Sequence, residues 1–126
     1  MYKSKYFQKS ETACKNENGS LCDCNCNIKE ILLIKLDLAR EYAGIPFIIN
    51  SGARCEKQND RIGGVKNSAH LSGFAVDIAW DWNNKKQVFK IIYGLLKAGF
   101  GMRIGLDDSF IHADIDLSLP NALWDY

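Results

Sequence analysis

The 126-residue chain lacks most of the features that mark special classes of protein. It has no run approaching the 18 or more apolar residues of a membrane span. Its start, "MYKSKYFQKSETACK", has no apolar core of a secretory signal peptide. If it acts outside the cytoplasm, another route is expected to carry it there. It lacks a charge imbalance: the formal net charge is +1, which gives no electrostatic reason to expect nucleic acid or an anionic membrane as partner. It has no internal repeat and no low-complexity segment. Histidine is scarce, with His70 and His112 the two in the chain. What remains is an ordinary globular composition, 47% hydrophobic and 25% charged, in a length that suits one domain.

Cysteine is present in odd number: Cys14, Cys22, Cys24, Cys26 and Cys55. An odd count argues against a closed disulfide framework. Four of the five fall within residues 14–26, and clustered thiolates suit zinc, although the usual C-x2-C spacing is absent. Three thiols at Cys-x-Cys spacing do not wrap an ion tetrahedrally unless the chain turns. A structural metal, disulfide pairing and plain reduced thiols all stay open from the spacing, and plain thiols are the expectation.

Residues 1–27 are polar and irregular, with a turn signal at Asn18-Gly19, and read as a cysteine-containing arm wrapped on a domain of residues 28–126. Ile28, Ile31, Leu32, Leu36, Ala39 and Tyr42 recur near the helical period and predict a helix over 28–43, stopped by Gly44, with Lys35 a polar intruder on its stripe. A short strand is expected from Pro46 and one or two helical turns in "CEKQNDRIGG". A second strand is expected in "GFAVDIAW". A second helix is expected over 84–98, with Val88, Ile91, Ile92, Leu95 and Leu96 inward. Two more strands, "GMRIGL" and "SFIHADID", are joined by a turn at Asp107-Asp108. The order implies an α+β domain with a small, largely antiparallel sheet and helices packed on one side.

An aspartate interrupts the apolar strand "FAVDIAW". Strand alternation puts Phe74, Val76, Ile78 and Trp80 on one face and Ala75, Asp77 and Ala79 on the other, where the small alanines leave room for a cleft. His70 stands seven residues earlier. A straight strand would hold the two about 23 Å apart, too far to share an ion, so the chain must bend at Ser72-Gly73. His112 alternates with Ile111 and Ala113 and so lies opposite an apolar face. Two histidines and one carboxylate, with a fourth position left to water, make a catalytic zinc site. The alternative is two histidines satisfied by hydrogen bonds and an aspartate paired with a lysine.

The stretch Ser68-Ala69-His70-Leu71-Ser72-Gly73-Phe74-Ala75-Val76-Asp77 resembles the Ser-x-His-x-x-Gly-x-Ala-x-Asp signature of the zinc D-alanyl-D-alanine carboxypeptidase family. Upstream, "SGARCEKQNDRIGGVKNSAHLSG" is similar to the family's Ser-Gly-Tyr-Arg, Asn and Gly-Gly-x-x-x-Ser elements, with Ala53 replacing the tyrosine. Downstream, "FIHADI" is similar to a Phe-Val-His-x-Asp strand of one branch. The resemblance spans about residues 28–116 and leaves the cysteine-rich arm outside. It implies a fold shared with the Hedgehog signalling domain, one catalytic zinc on His70, Asp77 and His112, and a monomer acting on peptidoglycan stem peptides or cross-links. It also implies that Arg54 binds substrate or holds the oxyanion, and Ser68 is expected to bind substrate with it. A phage lysis or tail enzyme, or a bacterial enzyme released by another route, fits this reading. The runner-up is a non-catalytic zinc-containing binding module of the same fold.

One departure concerns the general base. Several branches carry a Glu two or three residues before the last histidine, where this chain has Phe110 and Ser109. Strand alternation offers Asp114, about 7 Å along the same face as His112, as the base or the group that positions water. A carboxylate that only orients a ligand histidine is the alternative for Asp114; Asp107 and Asp108 are the other candidates for the base. Trp80, Trp82 and Trp124 are candidates to line the cleft.

Overall fold

In a computed structural model of the chain, residues 2–100, 103–119 and 122–126 are described. In chain order they form α1 (Lys9–Thr12), α2 (Glu30–Ala43), β1 (Ile49–Ser51), α3 (Glu56–Arg61), α4 (Ala69–Ser72), β2 (Ala75–Ala79), α5 (Lys85–Lys97), β3 (Arg103–Leu106), β4 (Phe110–Asp114) and β5 (Ala122–Asp125). The fold is α+β. Its five-stranded sheet has the order β1-β2-β4-β3-β5 and is antiparallel except for the parallel β3–β5 pair. The expected strands and long helices are present. β5 is an addition: "ALWD" is four residues long and shows no alternation of apolar and polar residues.

Both long helices start and stop for local reasons. Gly44 ends α2 in the left-handed conformation at φ 71°, which glycine adopts without a Cβ penalty. At the start of α5 the Asn84 side chain accepts from the Gln87 N–H at 3.1 Å, satisfying one donor of the first turn. The two helices cross tightly at Gly94, where an added Cβ would run into the Ala39 carbonyl. That close approach explains a glycine inside a helix, where it otherwise costs about 1 kcal/mol against alanine.

The crossing also corrects part of the expected stripes. Leu32, Leu36, Ala39 and Ala43 of α2 face Ile91, Gly94 and Leu95 of α5 in the core, whereas Ile31, Tyr42 and Leu96 are about half exposed. Contact through small residues narrows the buried strip below the arc that periodicity suggests. Lys35 escapes the core by donating from Nζ to the Ala98 carbonyl at 3.2 Å, at the C-terminus of α5.

Sheet and helices share one core, to which β2 contributes Val76 and Ile78, β4 Ile111 and Ala113, and β3 Ile104. The opposite face carries a row in register across four strands: Asp77, His112, Gly105 and Trp124. The arm is integral to the domain. Phe7 is buried in the core, and Asp37 on α2 accepts from the Tyr2 hydroxyl, Ser4 Oγ at 2.7 Å and the Lys5 N–H at 2.9 Å.

Candidate metal centre

Three local structures place the candidate ligands. Ser68 caps α4 by accepting from the His70 N–H, and Gly73 then turns the chain at φ 80° into β2. This is the bend that the His70–Asp77 spacing requires. β2 carries Asp77, and its antiparallel pairing with β4 sets His112 directly opposite. The third edge of the triangle is closed by α4 folding back over the sheet.

His70 Nε2, His112 Nδ1 and Asp77 Oδ1 stand 3.2, 3.0 and 3.3 Å from one another. Nitrogen and oxygen ligands at about 2.0–2.1 Å from a tetrahedral zinc would be about 3.3 Å apart. The donor set therefore fits zinc in chemistry and in spacing. Both histidines are nearly sealed from solvent, at 1% and 6% exposure, so their outward nitrogens need partners. His70 Nδ1 lies 2.7 Å from the Gly52 carbonyl and donates to it. His112 Nε2 lies 2.7 Å from Asp114 Oδ2 and donates to that carboxylate. Each ring is thereby held with the lone pair of its other nitrogen toward the shared point.

Electrostatics follow from the same contacts. Burial works against the Asp77 charge, but the His112 and His70 rings beside it outweigh that and hold the carboxyl far below the usual range. Burial likewise opposes charge on His112, and Asp114 and Asp77 more than compensate, so its pKa is raised. Burial lowers Arg54, with the Asp77 charge pulling the other way. Tyr126 is pushed up by burial and by the Asp77 charge.

The trio opens into a cleft of about 640 Å³, whose walls include Arg54, Ser68, Phe110, Trp124 and Tyr126. The Arg54 guanidinium has a long contact from Nη2 to Ser68 Oγ at 3.5 Å, and its Nε is buried without a partner. Among the described residues no carboxylate pairs with it. Trp124 lies with its ring centroid 5.3 Å from that of His112. It can lie there because the strand position beneath it is Gly105, where any Cβ would enter the indole. Trp80 is in the core, its Nε1 donating to the Asp107 carbonyl at 2.8 Å, and Trp82 is exposed away from the cleft.

Asp114 lies in the cleft lining on the face it shares with His112, as strand alternation placed it, but both of its oxygens are engaged. It is fully buried behind His112, with Oδ1 accepting from Arg103 Nε at 2.8 Å and from the Asp116 N–H at 3.2 Å. Asp107 Oδ2 accepts from the backbone and hydroxyl of Ser109 within its turn, and neither it nor Asp108 lines the cleft. Arg103, Gly105, Tyr126 and the Gly52 carbonyl escaped the sequence reading. Gly105 carried a usable signal, since a glycine inside a strand often marks close approach. Arg103 shares its strand face by alternation.

A family model described as Peptidase M15 matches residues 5–114 of the chain. The match begins inside the segment read as an arm, earlier than the sequence resemblance did. No curated protein matches the chain.

Proposed function

The chain belongs to the peptidase M15 family, whose members are zinc-dependent, and from that premise we propose that it hydrolyses peptide bonds in peptidoglycan stem peptides or their cross-links. The observation that carries the proposal is the trio of His70, Asp77 and His112, spaced for one zinc and braced from behind by Gly52 and Asp114. A bound zinc would polarise a carbonyl and lower the pKa of its water toward about 7.

The surrounding residues then have separate tasks. His70, Asp77 and His112 hold the ion. Asp114 keeps His112 in the tautomer that presents Nδ1, and Arg103 holds Asp114 in place. Arg54, which has no carboxylate partner among the described residues, clamps a carboxylate of the stem peptide or the developing oxyanion, and Ser68 steadies it. Trp124 gives the substrate a flat apolar wall. Tyr126 donates a hydrogen bond from the mouth. In this reading Asp114 is a positioning residue rather than the proton acceptor.

One observation favours a second reading. Among the described residues, the carboxylates of the cleft are Asp77 and Asp114, and both are engaged. A non-catalytic zinc-containing binding module would need no free base. Mass spectrometry of purified cell-wall fragments separates the two. Incubation with wild type is expected to release terminal D-alanine or split cross-links, and His70→Ala is expected to do neither. Unchanged fragments with zinc-loaded wild type would establish the binding module instead.

A further inference from the structure

The five cysteines are all free thiols, and four of them converge. We propose that Cys14, Cys22, Cys24 and Cys55 form a second, structural metal site for zinc, separate from the His70 centre and independent of the peptidase reading. Their sulfurs all lie within 4.8 Å of one another. Cys14 Sγ is 3.8 Å and Cys22 Sγ 3.9 Å from Cys55 Sγ. Four thiolates about 2.3 Å from a tetrahedral zinc stand about 3.8 Å apart. The cluster therefore has the dimensions of a closed site made of four cysteine ligands.

The local chain supplies what the Cys-x-Cys spacing lacked. The Asn25 N–H bonds back to the Cys22 carbonyl at 3.2 Å, and Asn25 takes the left-handed conformation at φ 55°. That turn curls Cys22 and Cys24 around one point. Cys14 reaches the same point because the Cys22 N–H bonds to its carbonyl at 2.9 Å, across a hairpin closed at Asn18-Gly19. Cys55, at the start of α3, completes the set from the domain side. Donors also aim at the sulfurs, as thiolates require: Cys55 N–H to Cys14 at 3.3 Å, Cys26 N–H to Cys24 at 3.4 Å and Gln58 Nε2 to Cys22 at 3.7 Å. Cys26 is exposed and outside the cluster, which accounts for the odd count as four ligands and one bystander.

Binding releases one proton from each thiol that coordinates as thiolate, so four thiols and one zinc ion give a tetrathiolate of net charge −2 with no redox step. The ion would tie the arm to the residue next to Arg54. It would thus act as the staple that holds the N-terminal segment against the substrate side of the cleft.

The test uses the full chain purified under reducing conditions. A His70→Ala/His112→Ala double variant is expected to retain one equivalent of zinc, and its cobalt form to show thiolate-to-cobalt charge transfer in the near ultraviolet. Losing a group that merely orients a ligand lowers metal affinity about 10–100-fold. Cys24→Ser in that background is therefore expected to lower it more than about 100-fold, whereas Cys26→Ser leaves it unchanged. Cobalt-loaded wild type guards against a variant that fails to fold, since its charge-transfer band is expected whatever the variants do. No thiolate band in that sample, or equal loss of metal with Cys26→Ser and Cys24→Ser, overturns the proposal. So does pairing of these thiols as disulfides in the metal-loaded protein.

Discussion

Asp114→Asn is the substitution that most sharply tests how the centre is braced. The side chain is nearly isosteric, yet it turns one acceptor into a donor. Asp114 Oδ2 now accepts from His112 Nε2 at 2.7 Å, and Oδ1 accepts from Arg103 Nε at 2.8 Å. If the new amide nitrogen faces Arg103, two donors meet in a site with no solvent exposure at Asp114. If it faces His112, the ring must present a lone pair at Nε2 and carry its proton on Nδ1, the nitrogen that faces Asp77 and His70. That tautomer cannot ligate. Removing one partner of a buried charge pair costs about 3–5 kcal/mol. The Arg103 side chain keeps 14% exposure, so a loss near the lower end, about 3 kcal/mol, is expected in folding stability. Zinc affinity is expected to fall about 10–100-fold, the usual effect of losing a group that orients a ligand. The assay is chelator competition for zinc, with turnover then measured at saturating zinc, where most activity should return. Unchanged zinc affinity with a rate loss of about 100–10,000-fold at saturation would make Asp114 the general base and refute the positioning argument.

Three further outcomes are expected. Arg54→Lys should keep zinc and fold but lose most activity, because a point charge cannot reproduce the planar fork that grips a carboxylate; unchanged turnover would make Arg54 a structural residue. Gly105→Ala drives a methyl into Trp124 and is expected to cost about 1–3 kcal/mol and change the tryptophan fluorescence; wild-type stability and spectrum would place the indole elsewhere. The Tyr2 phenol is pushed up to about 12, first by its hydrogen bond to Asp37 and then by burial. Because the folded-state value is raised, the contribution of this bond is complete below about pH 10 and is lost as pH rises through about 12. Alkaline difference spectroscopy should therefore lose one late-titrating tyrosine in Tyr2→Phe, and an unaltered titration curve would detach Tyr2 from Asp37.

Much of the centre was legible because its placement is local. Period-2 alternation put Asp77 and His112 opposite apolar faces, and Ser72-Gly73 required a bend. A short helix and a glycine at φ 80° provide it. The long helices and four of the strands were legible for the same reason, since each is encoded in the apolar period of its own segment. The order of motifs also carried the family resemblance, and the match over residues 5–114 shows that family.

What tertiary structure decided are relations between segments with no shared period. Alternation fixed which face Asp114 shares with His112, but only the position of Arg103 on the neighbouring strand turned that carboxylate into a buried brace. The half-exposed Ile31, Tyr42 and Leu96 follow from where α5 crosses α2, at a glycine whose purpose appears once Ala39 lies against it. Spacing among Cys14, Cys22 and Cys24 left their role open, because the fourth thiol lies beyond α2 and β1, 31 residues after Cys24 in sequence and within 4.8 Å in space. A sequence reports the faces of its elements through residues a few positions apart. Which faces meet is set by the packing of the whole chain, and there the brace behind His112 and the closure of the cysteine cluster were determined.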